Sequence, residues 1–281
     1  MDKTQNRIQN KSIMTPKKQI NHIVKWLRDY ARSAKISTFV VGISGGIDSS
    51  VVSALCALTG LQTIVVQMPI RQDKKLDNRS LLQAGWLLER YANVTHMSMD
   101  LTDIFNALDK KLSPFCAADD GDYTSTSELA FANSRARLRM MTLYQIAQAR
   151  RGLVVGTGNR VEDFGVGFFT KYGDGGVDIS PIGDCLKTQV WAMGQEMGLP
   201  QEIIDAAPTD GLWADGRSDE SQLGMTYPEL ELAMEQDENS DLWDPTSPQE
   251  KKNLRRYREI RARNMHKMLP IPVCMIDNNQ T

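Results

Sequence analysis

Two glycine-containing segments carry residue types that could perform phosphate chemistry. The first reads Ser44-Gly45-Gly46-Ile47-Asp48-Ser49-Ser50. Glycines allow a backbone to approach a ligand closely, and the free N–H groups at a helix start, aided by the helix dipole, favour a phosphate. Asp48 alone would repel phosphate, so a carboxylate here indicates a Mg²⁺ ion held between it and the phosphates. We therefore predict a nucleotide phosphate loop; the alternative is an ordinary strand–helix turn capped by Asp48 and Ser49.

The second segment spans 156–181 and contains further polar candidates. Glu162 can approach the same ion as Asp48 and give it a second carboxylate; otherwise it is an acidic residue in the first turn of a helix. Lys171 and, beyond the segment, Lys187 could neutralise the charge that builds on a leaving pyrophosphate, or they could be solvated surface lysines.

Short apolar strands that alternate with helices must position these segments. Strands are predicted at 38–43, 63–66, 94–99 and 153–157. Helices are predicted at 16–34, 48–58, 78–91, 101–112, 128–150, 184–197, 201–206 and 248–268, and loops at 113–127, 158–182 and 207–226. This alternation predicts an α/β fold, a doubly wound parallel sheet with helices on both faces. The two segments follow the first and fourth strands, so both lie at the carboxyl edge, where such sheets bind ligands.

The bulk composition limits the possible partners. A chain of 281 residues suits one large domain or two small ones, and we predict a flexible tail at 1–15 and a single domain at 16–281. The net charge of -2 gives no overall basic field, so we expect neither nucleic acid nor a membrane as a partner. The start carries no signal-peptide pattern, and no apolar run approaches the roughly 20 residues that span a bilayer. The four scattered cysteines then indicate reduced thiols in a cytoplasmic protein.

The first segment resembles a known nucleotide-binding loop. SGGxDS is similar to the loop of the N-type ATP pyrophosphatases, which cleave ATP between its α and β phosphates and transfer AMP to a substrate. It is neither a Walker A loop nor the dinucleotide GxGxxG pattern. The loop alone does not select the acceptor, because GMP synthetases, asparagine synthetases and tRNA-thiolating enzymes carry similar loops.

The later motifs narrow this resemblance to one family. They lie at 156–165, 168–181, 184–188 and 207–213, and this ordered set resembles the motifs of the ammonia-dependent NAD synthetases. The resemblance extends from about residue 20 to the C-terminus. The resemblance implies an adenine nucleotide α-hydrolase-like fold. It also implies ATP-dependent amidation of deamido-NAD by ammonia through an adenylated intermediate, which releases NAD, AMP and pyrophosphate. Because the phosphate loop begins at Ser44, we expect no glutaminase domain before it, and free ammonia as the nitrogen donor unless a separate subunit delivers it.

The resemblance also implies roles for individual residues. Asp48 and Glu162 match the Mg²⁺ ligands, and Asp48, Lys187 and Thr209 are the expected catalytic residues, although Thr209 could equally cap a helix or turn. The positions that handle ATP are Gly42, Ile43, Ser44, Gly45, Gly46, Ile47, Asp48, Ser49, Thr157, Lys187 and Thr209. The expected contacts to deamido-NAD are Arg137, Lys171, Asp178, His266 and Lys267. The family forms homodimers with the dinucleotide at the subunit boundary. The helix at 128–149 is a candidate for that interface, although its apolar stripe could equally belong to the internal core.

Two segments depart from the family, and two rival functions stay open. Residues 71–79 are unusually basic for the loop beside the adenine pocket, so we assign no adenine contacts, and 237–248 has no clear counterpart in the shortest members. A different adenylating enzyme would share the first loop and use another acceptor, such as xanthosine monophosphate or tRNA. A nucleotide sensor would bind ATP and form no pyrophosphate; the two acidic residues and Lys187 argue against it.

Overall fold

A four-stranded parallel sheet forms the centre of the molecule. The computed structural model describes residues 14–71, 74–116, 125–209, 218–240, 245 and 247–276. Within them the strands are β1 (Thr38–Ile43), β2 (Gln62–Gln67), β3 (Val94–Ser98) and β4 (Gly152–Val154), in the spatial order β3-β2-β1-β4. The helices are α1 (Pro16–Ala34), α2 (Ile47–Leu58), α3 (Lys74–Arg90), α4 (Thr102–Cys116), α5 (Ser125–Ala149), α6 (Lys187–Glu196), α7 (Gln201–Ile204), α8 (Asp219–Leu223), α9 (Tyr227–Glu238) and α10 (Pro248–Met268). A π-helix, Arg160–Val166, follows β4.

The central strand β1 is buried on both faces. Phe39 and Val41 pack in one apolar cluster with α1, α2 and α6, whereas Val40 packs in another with α4 and α5. Successive side chains of a strand point to opposite faces, so each face of the sheet carries its own layer of helices. The predicted α/β fold, a doubly wound parallel sheet with helices on both faces, is confirmed.

The order of the strands reverses at β1. Val40 lies opposite Ile64 of β2 on one side and opposite Val154 of β4 on the other, and both pairings are parallel. Crossover connections therefore leave the two sides of β1 in opposite directions, and a crevice opens beyond its carboxyl end. The phosphate loop and the start of the second segment both lie at this crevice.

The short edge strand β4 is paired by a later part of the same chain. Val154 N–H donates to the Asp178 carboxylate at 2.8 Å, and Asp178 N–H donates to the Val154 carbonyl at 3.0 Å. Val155 forms an isolated parallel bridge with Ile179, whose carbonyl accepts from Gly156 N–H at 2.8 Å. The segment 178–179 therefore occupies the outer edge of β4.

A smaller apolar cluster covers the carboxyl edge of the sheet. Val161 and Val166 of the π-helix pack there with Leu230 and Met234 of α9 and with Tyr257 of α10. This cluster fixes the π-helix, which carries Glu162, over the end of the sheet.

Three predicted loops contain helical residues. The loop predicted at 113–127 is helical at both ends, because α4 continues to Cys116 and α5 begins at Ser125, while 117–124 lies outside the described residues. The loop predicted at 158–182 contains the π-helix, which begins where the Asn159 side chain accepts from the N–H groups of two following residues. The loop predicted at 207–226 contains α8, which Ser218 caps, while 210–217 lies outside the described residues. Capping side chains and burial, rather than composition, therefore determine where these helical residues occur.

Helix α9 is a further difference, since the sequence analysis assigns no helix to 227–236. Thr226 and Glu229 form a capping box at its start, and Pro228 lies in its first turn. This pattern of threonine followed three residues later by glutamate is the local signal for the helix.

The start of the described chain agrees with the predicted helix at 16–34. The Thr15 hydroxyl accepts from Lys18 N–H at 3.4 Å, and Pro16 occupies the first turn. Residues 1–13 of the predicted flexible tail lie outside the described residues. Among the described helices, none combines the length and the apolar character that crossing a lipid bilayer requires.

Candidate active site

The phosphate loop packs tightly against α3. Gly45 adopts a φ of +76°, and a Cβ at this position would lie 2.6 Å from the Ser80 nitrogen and 2.7 Å from the Arg79 Cβ. A side chain at Gly45 would therefore be strained and would clash with α3. Gly46 is the N-cap of α2 and provides no side-chain cap, so the first N–H groups of this helix lack a side-chain acceptor there.

Buried Gln83 of α3 fixes the conformation of the loop. Its Oε1 accepts from Gly45 N–H at 3.3 Å and lies 3.4 Å from the Ser49 hydroxyl, while its Nε2 donates to the Ser53 hydroxyl at 2.8 Å. The Ser49 hydroxyl also accepts from Ser44 N–H at 3.2 Å. The loop is therefore preorganised by its own hydrogen bonds.

Asp48, Glu162 and Lys187 meet at the carboxyl edge, and we call them the acid–lysine cluster. Asp48 lies in the first turn of α2, Glu162 in the first turn of the π-helix, and Lys187 at the first position of α6. Lys187 Nζ donates to Asp48 Oδ2 at 2.5 Å and to Glu162 Oε1 at 2.9 Å. The lysine side chain is only 2% exposed, which excludes a solvated surface lysine at this position.

The charges of the cluster shift one another's pKa values. Burial would lower the pKa of Lys187, but the charges of Asp48 and Glu162 outweigh it and raise the pKa above its ordinary range. Burial raises the pKa of Asp48, and Lys187 only partly opposes this. Burial would also raise the pKa of Glu162, but Lys187 and a hydrogen bond from Tyr227 outweigh it and lower the pKa. Lys187 is thus held in its charged form by its two partners.

Two further side chains position the carboxylates. Asn159 Nδ2 donates to Asp48 Oδ1 at 3.1 Å. The buried Tyr227 hydroxyl donates to Glu162, and its ring lies 4.9 Å from Lys187 Nζ and edge-on to Trp191. Asn159 and Tyr227 thus orient the two acids, and the tyrosine ring covers the ammonium group.

The donor set of the cluster fits Mg²⁺. Asp48 and Glu162 offer carboxylate oxygens, the hard ligands that Mg²⁺ prefers, and two carboxylates beside substrate phosphates is a common arrangement. Within the described ranges, no group of three or more His, Cys, Asp or Glu side chains is placed to hold a metal ion. The site therefore fits an ion that is shared with bound phosphates.

A crevice of about 280 Å³ joins the loop to the cluster. Of the predicted ATP and metal positions, its walls include Gly42, Ile43, Ser44, Gly46, Ile47, Asp48, Ser49, Thr157, Glu162, Lys187 and Thr209. Gly45, also in the loop, instead packs against α3. Arg79, Arg139, Asp163 and Asp174 also line the crevice.

Comparison with known proteins places this architecture in one family. The family model described as NAD synthase matches residues 19–270. The chain belongs to the NAD synthase family. It is 38% identical over 210 residues to the NH3-dependent NAD+ synthetase of Carboxydothermus hydrogenoformans, a match that covers 74% of this chain and 81% of that protein. The family predicted from the motifs is confirmed.

Solved structures of the NAD synthase family share the fold. An NMN synthetase from Francisella tularensis superposes with a TM-score of 0.78 and 30% identity, over 94% of this chain and 99% of that one. An NH3-dependent NAD synthetase from Campylobacter jejuni superposes with a TM-score of 0.71 over 93% of this chain and 100% of that one, at 21% identity. The fold expected from the resemblance is confirmed.

The acceptor positions implied by the NAD synthase resemblance lie apart from the crevice walls. Arg137 Nε donates to the Lys171 carbonyl at 3.3 Å, and Lys171 Nζ donates to the His266 carbonyl at 2.7 Å. These contacts join α5, the segment after the π-helix and α10. Asp178 pairs with β4 and also accepts from the Tyr144 hydroxyl at 3.1 Å.

Lys267 belongs to a set of α10 side chains, Arg261, Asn264 and Lys267, that we call the carbonyl clamp. Lys267 Nζ donates to the carbonyls of Gly167 and Phe169 at 3.0 and 2.9 Å. Arg261 and Asn264 donate to carbonyls in the last turn of the π-helix. Since the carbonyls at a helix end lack partners within the helix, the clamp satisfies them and fixes this segment to α10.

Three residues that shape this NAD synthase site, Gln83, Asn159 and Tyr227, were not predicted from the sequence. Asn159 lies within the motif at 156–165, shortly after β4, and this position is a usable signal. Gln83 is a polar residue one helical turn before buried Leu87, and a polar side chain on an apolar face is also a signal. Tyr227 follows the capping threonine of α9, a helix that the sequence analysis does not predict.

Proposed function

We propose that the chain is an amide-forming ligase that uses ATP to convert deamido-NAD and ammonia into NAD, AMP and pyrophosphate through an adenylated intermediate. Membership of the NAD synthase family and the identity to an NH3-dependent NAD+ synthetase support this activity. The observation that carries the proposal is the acid–lysine cluster beside the phosphate loop, at the point where the strand order reverses.

Adenylation solves a chemical difficulty, because a carboxylate is a poor electrophile. A carboxylate oxygen of the acceptor attacks the α phosphorus of ATP, and the bond from that phosphorus to the bridging oxygen of pyrophosphate breaks. Ammonia then attacks the carbonyl carbon, the bond to the AMP oxygen breaks, and the nitrogen loses a proton. The protein contributes by orienting the reactants and by stabilising charge.

The chain's own groups divide this work between two walls of the crevice. Backbone N–H groups at the start of α2 and the hydroxyls of Ser44 and Ser49 bind the phosphates. Asp48 and Glu162 would hold Mg²⁺, which supplies positive charge beside the phosphates when bound. Lys187 orients these two carboxylates, and Thr157 and Thr209 in the crevice wall offer hydroxyl donors.

Replacement of Asp48 by alanine tests the carrying observation. We expect Asp48→Ala to lower NAD formation from deamido-NAD, ATP and ammonium by at least about a thousandfold, because the Mg²⁺ that would neutralise the phosphates loses one of its two carboxylate ligands. Asp184→Ala is the matched control, since that aspartate is 98% exposed and close in sequence to Lys187. Activity retained in Asp48→Ala, with Asp184→Ala unchanged, would contradict the assigned role.

A mononucleotide acceptor is a second candidate for the same chemistry. The NMN synthetase structure is 30% identical and covers nearly the whole of both chains, whereas the Campylobacter jejuni structure is 21% identical. The same two steps on nicotinate mononucleotide would give NMN, AMP and pyrophosphate.

A paired assay separates the two acceptors. The protein is supplied with ATP and with either deamido-NAD or nicotinate mononucleotide, first with ammonium and then with glutamine. We expect the higher kcat/KM with deamido-NAD and ammonium. A higher kcat/KM with nicotinate mononucleotide would select the second candidate. Turnover with glutamine, combined with no turnover with ammonium, would exclude free ammonia as the donor.

The finer organisation of the enzyme belongs to the same proposal. We propose a homodimer of single catalytic domains, each formed by 16–281, in the cytoplasm. Leu129 and Met141 on α5 are exposed by 47% and 59%, which supports this helix as part of the contact. The free cysteines of the described chain suit a reducing compartment. Sedimentation equilibrium measures the subunit number directly, and a monomer at assay concentration would contradict the dimer.

A further inference from the structure

One wall of the crevice carries a cation to which no role is yet assigned. Arg79 of α3 lines the crevice. Its Cβ lies 2.7 Å from the position that a Cβ on Gly45 would take. Gln83 lies one turn later on the same face of the helix and bonds directly to the loop. This face of α3 and the phosphate loop therefore form one continuous wall.

One donor atom of the Arg79 side chain has no protein partner. Its Nε atom is buried and has no hydrogen-bond partner in the part of the chain that the structure describes. Buried polar atoms without partners are uncommon in native proteins and are costly, so their presence in a site points to a ligand. A guanidinium group presents donors in a planar fork that matches the oxygens of a phosphate.

The crevice walls also carry several acidic side chains, which would oppose the binding of a polyphosphate. Lys187 is committed to two carboxylates, so the acid–lysine cluster carries one more negative than positive charge. Asp163 and Asp174 add two more carboxyl groups to the walls. Arg139 also lines the crevice, but its Nε already donates to a backbone carbonyl at 3.0 Å. Arg79 is thus well placed to offset the charge of a bound polyphosphate.

We propose that Arg79 binds the phosphates of ATP from the α3 side of the loop. The inference rests on the proposed function only in taking ATP as the phosphate ligand. It does not depend on which nicotinate nucleotide accepts the AMP group.

Direct binding of ATP to the full chain, measured by titration calorimetry with Mg²⁺ present, tests this assignment. We expect Arg79→Ala to raise the Kd for ATP by about ten- to hundredfold, the range for loss of a charge-assisted hydrogen bond, and Arg79→Lys to give an intermediate value. Arg90→Ala is the matched control, because Arg90 ends the same helix and lies over Trp86. An unchanged Kd in Arg79→Ala, or an equal rise in Arg90→Ala, would overturn the proposal.

Thermal unfolding distinguishes a binding role from a structural one. Removal of an unsatisfied buried donor should leave the Tm without ATP unchanged or higher, while the rise in Tm caused by ATP becomes smaller. A lower Tm without ATP, combined with an undiminished ATP shift, would assign Arg79 to the fold and overturn the proposal.

Product inhibition completes the test. Weaker inhibition of Arg79→Ala by AMP would indicate a contact to the α phosphate, and weaker inhibition by pyrophosphate would indicate a contact to the β or γ phosphate. Undiminished inhibition by both would overturn the proposal, as would a raised KM for the acceptor with an unchanged KM for ATP. If the unaltered protein binds ATP but amidates neither nicotinate nucleotide, the proposed function fails while the binding result for Arg79 still stands.

Discussion

Two lysines near the carboxyl edge are held by opposite kinds of partner. Lys187 lies between the carboxylates of Asp48 and Glu162, whereas Lys267 donates to two backbone carbonyls. Burial disfavours the charged form of both side chains. The two carboxylates raise the pKa of Lys187 above its ordinary value, but burial dominates at Lys267 and lowers its pKa.

The difference shows that residue type alone does not reveal what a cation does. The resemblance assigns both lysines to substrate, yet in the described structure each is already bonded to the protein. Carbonyl oxygens satisfy the hydrogen bonds of an ammonium group without cancelling its charge, whereas carboxylates do both. The acid–lysine cluster is therefore an electrostatic centre, and the carbonyl clamp is a structural crosslink.

The largest effect is expected at the electrostatic centre. Lys187→Met would leave Asp48 and Glu162 buried together without a cation, and we expect it to lower the free energy of unfolding by about 3–5 kcal/mol. NAD formation should also be lost. Urea unfolding measures the stability, with Lys252→Met on the exposed face of α10 as the control. Equal stabilities of Lys187→Met and the control would remove the distinction between the two lysines.

An intermediate effect is expected at the tyrosine that supports the cluster. Tyr227→Phe removes a hydroxyl that donates to Glu162 and keeps the ring that packs on Trp191. We expect a loss of about 2 kcal/mol in unfolding free energy, as for other hydrogen bonds to charged groups, together with a lower kcat. The control is Tyr91→Phe, whose ring also packs edge-on to a tryptophan, Trp86. A kcat that falls equally in both variants would refute a specific role for the Tyr227 hydroxyl.

The smallest effect is expected at the carbonyl clamp. Lys267→Met should lower the free energy of unfolding by about 1 kcal/mol at neutral pH, because partly exposed hydrogen bonds contribute little. The acceptor KM indicates whether Lys267 also contacts substrate, and a large rise in that KM without a change in stability would reverse the structural assignment.

The two lysines should also respond to pH with opposite signs. A lowered pKa means that the folded protein binds the proton less tightly, so stability relative to Lys267→Met should rise as pH increases toward the ordinary lysine pKa of about 10.5. The raised pKa of Lys187 stabilises the fold fully below its ordinary pKa, and this contribution should fall above it. Unfolding curves from neutral pH to about pH 12 for the unaltered protein and both variants measure the two slopes, that of Lys267 below pH 10.5 and that of Lys187 above it, and slopes of equal sign would contradict the comparison.

The sequence predicts the sheet well because buried strands need only short apolar runs. The sequence also identifies the phosphate loop and both acids of the cluster as residues that end near one another, since each follows a strand or starts a helix at the same edge. It does not predict that Lys187 lies between the acids, because that depends on how α6 packs against α2.

The helix faces were harder to predict. The sequence predicts an apolar side of α3 formed by Leu81, Leu82, Trp86, Leu87 and Leu88. Trp86 and Leu87 are buried as predicted, whereas the other three leucines are exposed and Gln83 is buried. Hydrophobicity at helical spacing indicates a buried face only when one stripe is clearly more apolar than the others, and α3 has apolar residues on several sides. A buried glutamine is selected here for hydrogen bonds to the loop, which no periodicity can show.

The pairing of Asp178 and Ile179 with β4 has a consequence for the behaviour of the protein in concentrated solution. An unprotected strand at the side of a sheet offers a row of free N–H and C=O groups to other molecules and so promotes aggregation. Here the chain itself fills those positions on β4, and a charged side chain takes the Val154 N–H. Loss of the Asp178 carboxylate would therefore free the Val154 N–H and make this side of the sheet more open to contacts between molecules.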